Sequence, residues 1–326
     1  MSQRLSSVSA MIVCAFVSAA SGCSSASNPI LVRHSDAAGI QKSPQSLGSW
    51  TTKAPMPTAR WSLAAGVING ILYAVGGRDT NGNILNTVEA YDHTTDTWNT
   101  KAPMPTARQG LAACVVNGIL YAVGGWNGSV LDTVEAYDPA TDTLTTKASM
   151  PTARFVLAAR VVNGILYAVG GADNNVVPLN TVEAYDPATD TWTAKASMPT
   201  ARYQLAAGVV NGKLYAVGGV NVYSKIVNTV EVYDPATNTW TAKAPMPTAR
   251  YDLAASGLGG RLYAVGGGPR GHLNTDYNPA TNTWTAKTNM PTGRAGLATG
   301  VVGRTLYAVG GYNEGFLNTV EAFNPQ

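Results

Sequence analysis

The chain has 326 residues, 34 of them glycine, and a formal net charge of +3 with 13% charged residues. That length can bury a large core, and the lack of any long stretch with helical periodicity excludes a helical fold. Twelve of the 22 basic residues recur at two fixed positions, Lys53, Lys101, Lys147, Lys195, Lys243 and Lys287, and Arg60, Arg108, Arg154, Arg202, Arg250 and Arg294. Charge spread this evenly is not the concentrated patch a nucleic acid needs.

Residues 1–22 read as an export signal. Arg4 supplies the positive start, and 8–20 is an apolar run too short to span a bilayer. The run ends in Ala20-Ser21-Gly22-Cys23, which resembles a lipobox. Cys23 is then the lipid acceptor and the first residue of the mature chain. With Ser24 rather than Asp after it, the resemblance implies an exported lipoprotein, at the outer membrane and cell surface or facing the periplasm. Residues 23–48, rich in Ser, Ala, Gln and Gly, read as a flexible tether. Cys14 falls in the removed segment, so Cys114 is the sole cysteine of the folded body and no internal disulfide staples it.

From residue 49 onward the chain repeats. Leu-Tyr-Ala-Val-Gly-Gly occurs at 72–77, 120–125, 166–171, 214–219, 262–267 and 306–311, with spacings of 48, 46, 48, 48 and 44. A period of this size marks a repeat array. In the first unit, 63–68 is a short apolar strand, a, followed by Asn69-Gly70. Asn-Gly between apolar runs signals a type I′ hairpin. Strand b is 71–75, ended by Gly76-Gly77, where glycine permits dihedrals closed to other residues and leaves room for an aromatic ring to press on the backbone. After a variable loop, 86–92 alternates as strand c. Its turn, Asp138-Pro139-Ala140-Thr141-Asp142 in the second unit, carries Pro and Asp turn chemistry. Strand d carries Trp98, and a connector with two prolines, 102–108, leads to the next unit.

The Gly-Gly doublet, the Tyr before the turn (Tyr91, Tyr137, Tyr185, Tyr233, Tyr277, with Phe323 last) and the Trp of strand d recur in order across 49–326. This pattern resembles the kelch repeat. The resemblance implies an all-β, six-bladed kelch-type β-propeller with four antiparallel strands per blade. The last unit lacks a strand d, and Ser49-Trp50-Thr51-Thr52-Lys53 matches Thr97-Trp98-Asn99-Thr100-Lys101. The N-terminal strand around Trp50 is therefore expected to complete the sixth blade and close the ring. Blade 5 departs from the pattern: Asn274-Thr275-Asp276-Tyr277 is two residues shorter than its counterparts, which reads as a truncated strand c. Blade 2 has Leu144 in place of Trp.

Function is expected where the repeats differ. After each connector arginine come Trp61-Ser62, Gln109-Gly110, Phe155-Val156, Tyr203-Gln204, Tyr251-Asp252 and Ala295-Gly296. After each Gly-Gly come Arg78-Asp79, Trp126-Asn127, Ala172-Asp173, Val220-Asn221, Gly268-Pro269 and Tyr312-Asn313. The d–a connectors and b–c loops should emerge on one face, since strands a and c run the same way. Kelch propellers commonly bind partners at these positions around the central channel. Aromatic anchors with amides between them suit a protein segment or a glycan. Arg160 stands in strand a where other units have Gly, Cys or Ser, and must reach the channel or a carboxylate. The consensus arginines and the glutamates Glu89, Glu135, Glu183, Glu231 and Glu321 recur in step and read as structural ion pairs.

Catalysis has less support. Some kelch propellers resembling galactose oxidase use copper held by Tyr and His. Here the folded body has only His93 and His272, in unrelated repeat positions, so no metal site, cofactor or Ser-His-Asp arrangement is expected. Another kelch group isomerises sialic acid. A mutarotase- or isomerase-like chemistry is therefore the alternative, and Asp79, Asp173, Asp252, Glu314, Arg78, Arg160 and Arg270 are its available acid, base and anion-binding groups. The expectation is a monomeric, non-catalytic binding or scaffold propeller, held to a membrane by its lipid, with no nucleic-acid partner.

Overall fold

The computed structural model describes residues 47–269 and 271–325. The export signal, Cys23, the tether up to residue 46 and Arg270 lie outside the described residues. Six four-stranded antiparallel sheets follow one another along the chain. In blade 1, strand a is Ala64–Ile68, b is Ile71–Val75, c is Val88–Asp92 and d is Thr97–Lys101. The a strands of blades 2 to 6 are Ala112–Val116, Ala158–Val162, Ala206–Val210, Ala254–Leu258 and Ala298–Val302. Each a strand packs against the a strands of both neighbours, and the circuit closes between blades 6 and 1. The chain is thus a six-bladed propeller with the a strands around its axis.

Closure follows the sequence expectation. Ser49–Lys53 pairs antiparallel with Val320–Asn324, placing Trp50 opposite Phe323 as Trp98 stands opposite Tyr91. The Trp50 indole also donates to Thr288 O at 2.8 Å, matching the bond from Trp98 to Ala54 O at 2.9 Å. Strand d of each Trp-bearing blade is thereby tied to the connector leaving the blade before it. Leu144 has no N–H to make this bond in blade 2.

The core lies between blades. Tyr91, Tyr137, Tyr185, Tyr233, Tyr277 and Phe323 are fully buried, and each ring meets the strand b tyrosine of the preceding blade, for example Tyr91 and Tyr307 at 5.8 Å. The connector arginines are buried too. Arg108 donates to Gly124 O at 3.1 Å and Thr133 O at 3.0 Å and pairs with Glu135 at 2.7 Å. Equivalent pairs are Arg60–Glu89, Arg154–Glu183, Arg202–Glu231 and Arg294–Glu321. These repeat-wide ion pairs clamp the connector to strands b and c, and removal of one partner strands a buried charge.

Two sequence expectations need correction. The Gly-Gly doublet makes room for backbone, not for an aromatic ring. A Cβ on Gly76 would lie 2.5 Å from the carbonyl oxygen of Arg108 in the next blade's connector, and Gly77 N donates to that oxygen at 2.9 Å. Gly76 and Gly77 have φ of 61° and 97°, in the left-handed region. The second correction concerns blade 5, whose strand c, Asn274–Asn278, keeps its full five residues. The missing pair comes from the segment before it. His272 takes the place of Asn86: its carbonyl accepts from Met290 N and its Nδ1 lies 2.9 Å from Met290 O. Thr275 then stands where the other blades have glutamate, and its Oγ1 accepts from Arg250 at 2.7 Å.

Candidate functional site: the propeller mouth

The d–a connectors and b–c loops meet on one face, as expected, and they meet residue by residue. Trp61 bridges Arg78, Gln109 bridges Trp126, Phe155 bridges Ala172, Tyr251 bridges Gly268 and Ala295 bridges Tyr312. Each of these pairs exchanges two backbone hydrogen bonds of 2.8–3.2 Å. In blade 4, Tyr203 pairs with Val220 in a short antiparallel ladder. Every pair contains one aromatic residue. It lies on the connector side in blades 1, 3, 4 and 5 and on the loop side in blades 2 and 6. Trp61, Trp126, Phe155, Tyr203 and Tyr251 are half-buried and Tyr312 is exposed.

Small residues seat these rings. A Cβ on Gly296 would lie 1.9 Å from the Trp61 indole nitrogen, and one on Gly268 would lie 2.6 Å from the Tyr251 ring. Phe316, a further aromatic at the mouth, stacks on Trp61 at 6.4 Å and meets Tyr312 edge-on at 5.7 Å. Its repeat counterparts Ile84, Val130, Pro178 and Ile226 bridge their loops in the same way. An aromatic there looks like one more apolar scaffold residue in sequence.

Inside the aromatic circle lies a closed ring of main chain. Ser62 N donates to Gly296 O, Gly110 N to Ser62 O, Val156 N to Gly110 O, Gln204 N to Val156 O, Asp252 N to Gln204 O and Gly296 N to Asp252 O, all within 2.7–3.0 Å. The six residues share a left-handed conformation with φ between 45° and 61°. Such φ is costly for Val156 in particular. The six-fold circuit of hydrogen bonds holds it there. These ring residues and the leucines that follow them line a cavity of about 90 Å³. Typical small-molecule pockets are about 300–1,000 Å³, so this cavity is too small to enclose a ligand of that size.

Among the described residues, Asp252 is the one ionisable residue lining that cavity. Gln204 Nε2 donates to its carboxylate at 2.8 Å. Burial pushes Asp252 up to about 7, with the Gln204 bond acting in the opposite direction. Burial, followed by the Asp252 charge, raises Tyr203, and the same two causes raise Tyr251.

Other predicted site residues serve their own loops. Asp79 Oδ1 accepts from Asn81 N at 2.9 Å and Asn83 N at 2.8 Å. Asp173 accepts from Asn175 N and Val177 N, and Asn221 from Tyr223 N and Lys225 N, in the same frame. Arg78 Nε donates to Gly82 O at 3.1 Å. Asn127 and Asn313 are exposed on the shorter loops of blades 2 and 6. Arg160 is on strand a and outside the mouth cavity. Among the described residues, no three His, Cys, Asp or Glu side chains come together as a metal site, and no helix is long and apolar enough to cross a membrane.

The repeat geometry agrees with sequence comparison. The profile of the KLHDC2/KLHL20/DRC7 Kelch-repeats domain matches residues 40–171 and 158–326. The chain belongs to the kelch-repeat family. Among solved structures, that of YjhT resembles this kelch propeller with a TM-score of 0.71 at 17% identity, over 82% of this chain and 95% of YjhT. At that identity the likeness concerns the fold. No curated protein matches the kelch chain in sequence.

Proposed function

We propose that this kelch propeller is a non-catalytic recognition module that holds a carbohydrate or a protein segment across its mouth. The observation that carries the reading is the circle of six aromatics, one in each cross-strand pair, around a hydrogen-bonded floor. Aromatic faces offer contact area at low entropic cost, and Gln109, Gln204, Asn127 and Asn313 offer amides beside them. The carboxylates of Asp79 and Asp173 are already engaged in their loops. Flat aromatic faces with amides between them favour a glycan. A specific feature favours a protein segment: Val176, Val177, Val222, Tyr223 and Ile226, on the neighbouring b–c loops of blades 3 and 4, are exposed. A sugar-isomerising activity has less support, because among the described residues a single carboxylate lines the cavity and acid/base chemistry needs a partner for it.

Glycan and peptide arrays probed with the wild type and with the Trp126→Ala/Tyr203→Ala double variant test the reading. Loss of two aromatic anchors at about 2 kcal/mol each should weaken binding by two to three orders of magnitude, roughly. Equal binding by both proteins, with unchanged circular dichroism, refutes the mouth as the site. The array hit separates glycan from peptide. We further propose export and lipid anchoring through Cys23, which places the mouth outside the cytoplasm. Incorporation of labelled palmitate that persists in Cys23→Ser would refute the anchor.

A further inference from the structure

Arg160 is the one charged residue on the six channel strands. The other strands read Ala-Ala-Gly-Val-Ile, Ala-Ala-Cys-Val-Val, Ala-Ala-Gly-Val-Val, Ala-Ala-Ser-Gly-Leu and Ala-Thr-Gly-Val-Val. Its guanidinium reaches from blade 3 to blade 5. Nη1 donates to Ala159 O at 2.7 Å and Nη2 to Ala255 O at 2.7 Å. Two of the five guanidinium N–H groups are thereby used. Among the described residues no carboxylate comes within 4.0 Å of it, in contrast to the connector arginines of five blades.

No described residue nearby balances the charge. Cys114 holds the same strand position in blade 2, but burial pushes its thiol up to about 12, so it stays neutral near pH 7. Asp252 belongs to the mouth cavity, which Arg160 does not line. Arg160 itself is partly exposed. Strand a borders the axis, and the bond from Arg160 to Ala255 O two blades away carries the side chain across the channel. The channel also supplies donors. In an antiparallel ladder the N–H and C=O of one residue point to the same side. The carbonyls of Ala159 and Ala255 face the axis, so their N–H groups do as well, and the shared register of the six blades repeats this at Ala65, Ala113, Ala207 and Thr299.

We propose that the central channel is an anion-binding site, in which a small monovalent anion sits against the free N–H groups of Arg160. A partly buried cation without a counter-charge carries a desolvation cost, and an anion that enters from solution lowers that cost. The fitting chemistry is a halide or a carboxylate. The carboxylate has two sources, a free small acid or the acidic end of a larger ligand threaded into the channel. The site is separate from the aromatic rim, so it stands or falls independently of mouth recognition.

The test measures thermal unfolding of the full chain in sodium chloride, bromide, formate or acetate at constant ionic strength, with sodium MES as the bulky reference salt. Arg160→Gly and Arg160→Met are the comparison variants. Glycine is the native residue at this position in blades 1, 4 and 6 (Gly66, Gly208 and Gly300), so Arg160→Gly is compatible with the fold. In the wild type, once the anion exceeds its dissociation constant, each tenfold rise should lower the unfolding equilibrium constant by about tenfold. Both variants should lose this response. Crystals soaked in bromide should show an anomalous peak within hydrogen-bonding distance of the guanidinium. A response to halides identifies a free ion as sufficient. A response to formate and acetate alone identifies the carboxylate of an organic acid. The proposal is overturned by an equal anion response in wild type and Arg160→Gly, or by no response to any of the four salts.

Discussion

Asp252→Asn isolates a carboxyl whose ionisation the fold shifts towards neutral pH. Its acidity moves from an ordinary 3.8 in the unfolded chain to about 7 in the folded one. At ~1.4 kcal/mol for each tenfold in proton affinity, the full cost of ionising it in the folded state is roughly 4 kcal/mol. The sign follows from the direction of the shift. Below pH 3.8 both states hold the proton and there is no penalty. As pH rises towards about 7 the unfolded chain has lost its proton while the folded chain keeps it, so stability falls. Above that the loss is complete. Between about pH 5 and pH 8 the wild type should lose about 2.5 kcal/mol through this residue, less whatever solvent at the mouth screens. Asparagine mimics the protonated form, accepts the Gln204 bond and tolerates the left-handed φ of 50° at this position. Urea unfolding followed by tryptophan fluorescence at both pH values, on both proteins, yields a double difference in which all other titrating groups cancel. A double difference below about 0.5 kcal/mol would refute the upward shift of Asp252.

The remaining predictions concern the scaffold. Glu135→Ala leaves Arg108 buried without its carboxylate and should cost about 3–5 kcal/mol in denaturant unfolding. Thr275→Glu supplies blade 5 with the partner it lacks. Burial pushes Arg250 down to about 10 there, and the added charge-assisted bond should stabilise by about 1–2 kcal/mol in the same assay. Trp50→Ala removes the closing indole bond to Thr288 and the ring contact with Phe323 at 5.0 Å. It should lower the calorimetric midpoint, by about 2–3 kcal/mol of stability. Val176→Gly should stabilise by about 0.5–1 kcal/mol, because this exposed β-branched residue sits at φ 60° where blade 1 has Gly82. An unchanged or lower midpoint for Val176→Gly would show that the loop relaxes in solution.

Repetition made the scaffold legible. Six copies of one hexapeptide, Asn-Gly turns and a Trp per strand d define blades, and the spare strand at Trp50 defines closure, because each copy reports the same local hydrogen-bonding need. The Asn69-Gly70 turn has φ of 50° and 82°, as its residues demand. The positions where copying stops were legible as a set, but not what each does. Asp79 and Asp252 look alike in sequence, yet one caps its own loop and the other sits in the hydrogen-bonded ring at the mouth. The left-handed ring itself has no local signature, since Ser62, Val156 and Gln204 do not prefer that conformation. Six blades meeting at one axis impose it. For the same reason, the pairing of each aromatic with a residue some 17 positions away, and the reach of Arg160 across two blades to Ala255, belong to the tertiary structure. Local chemistry set each blade, and closure of the ring decided which of the unlike residues would face one another.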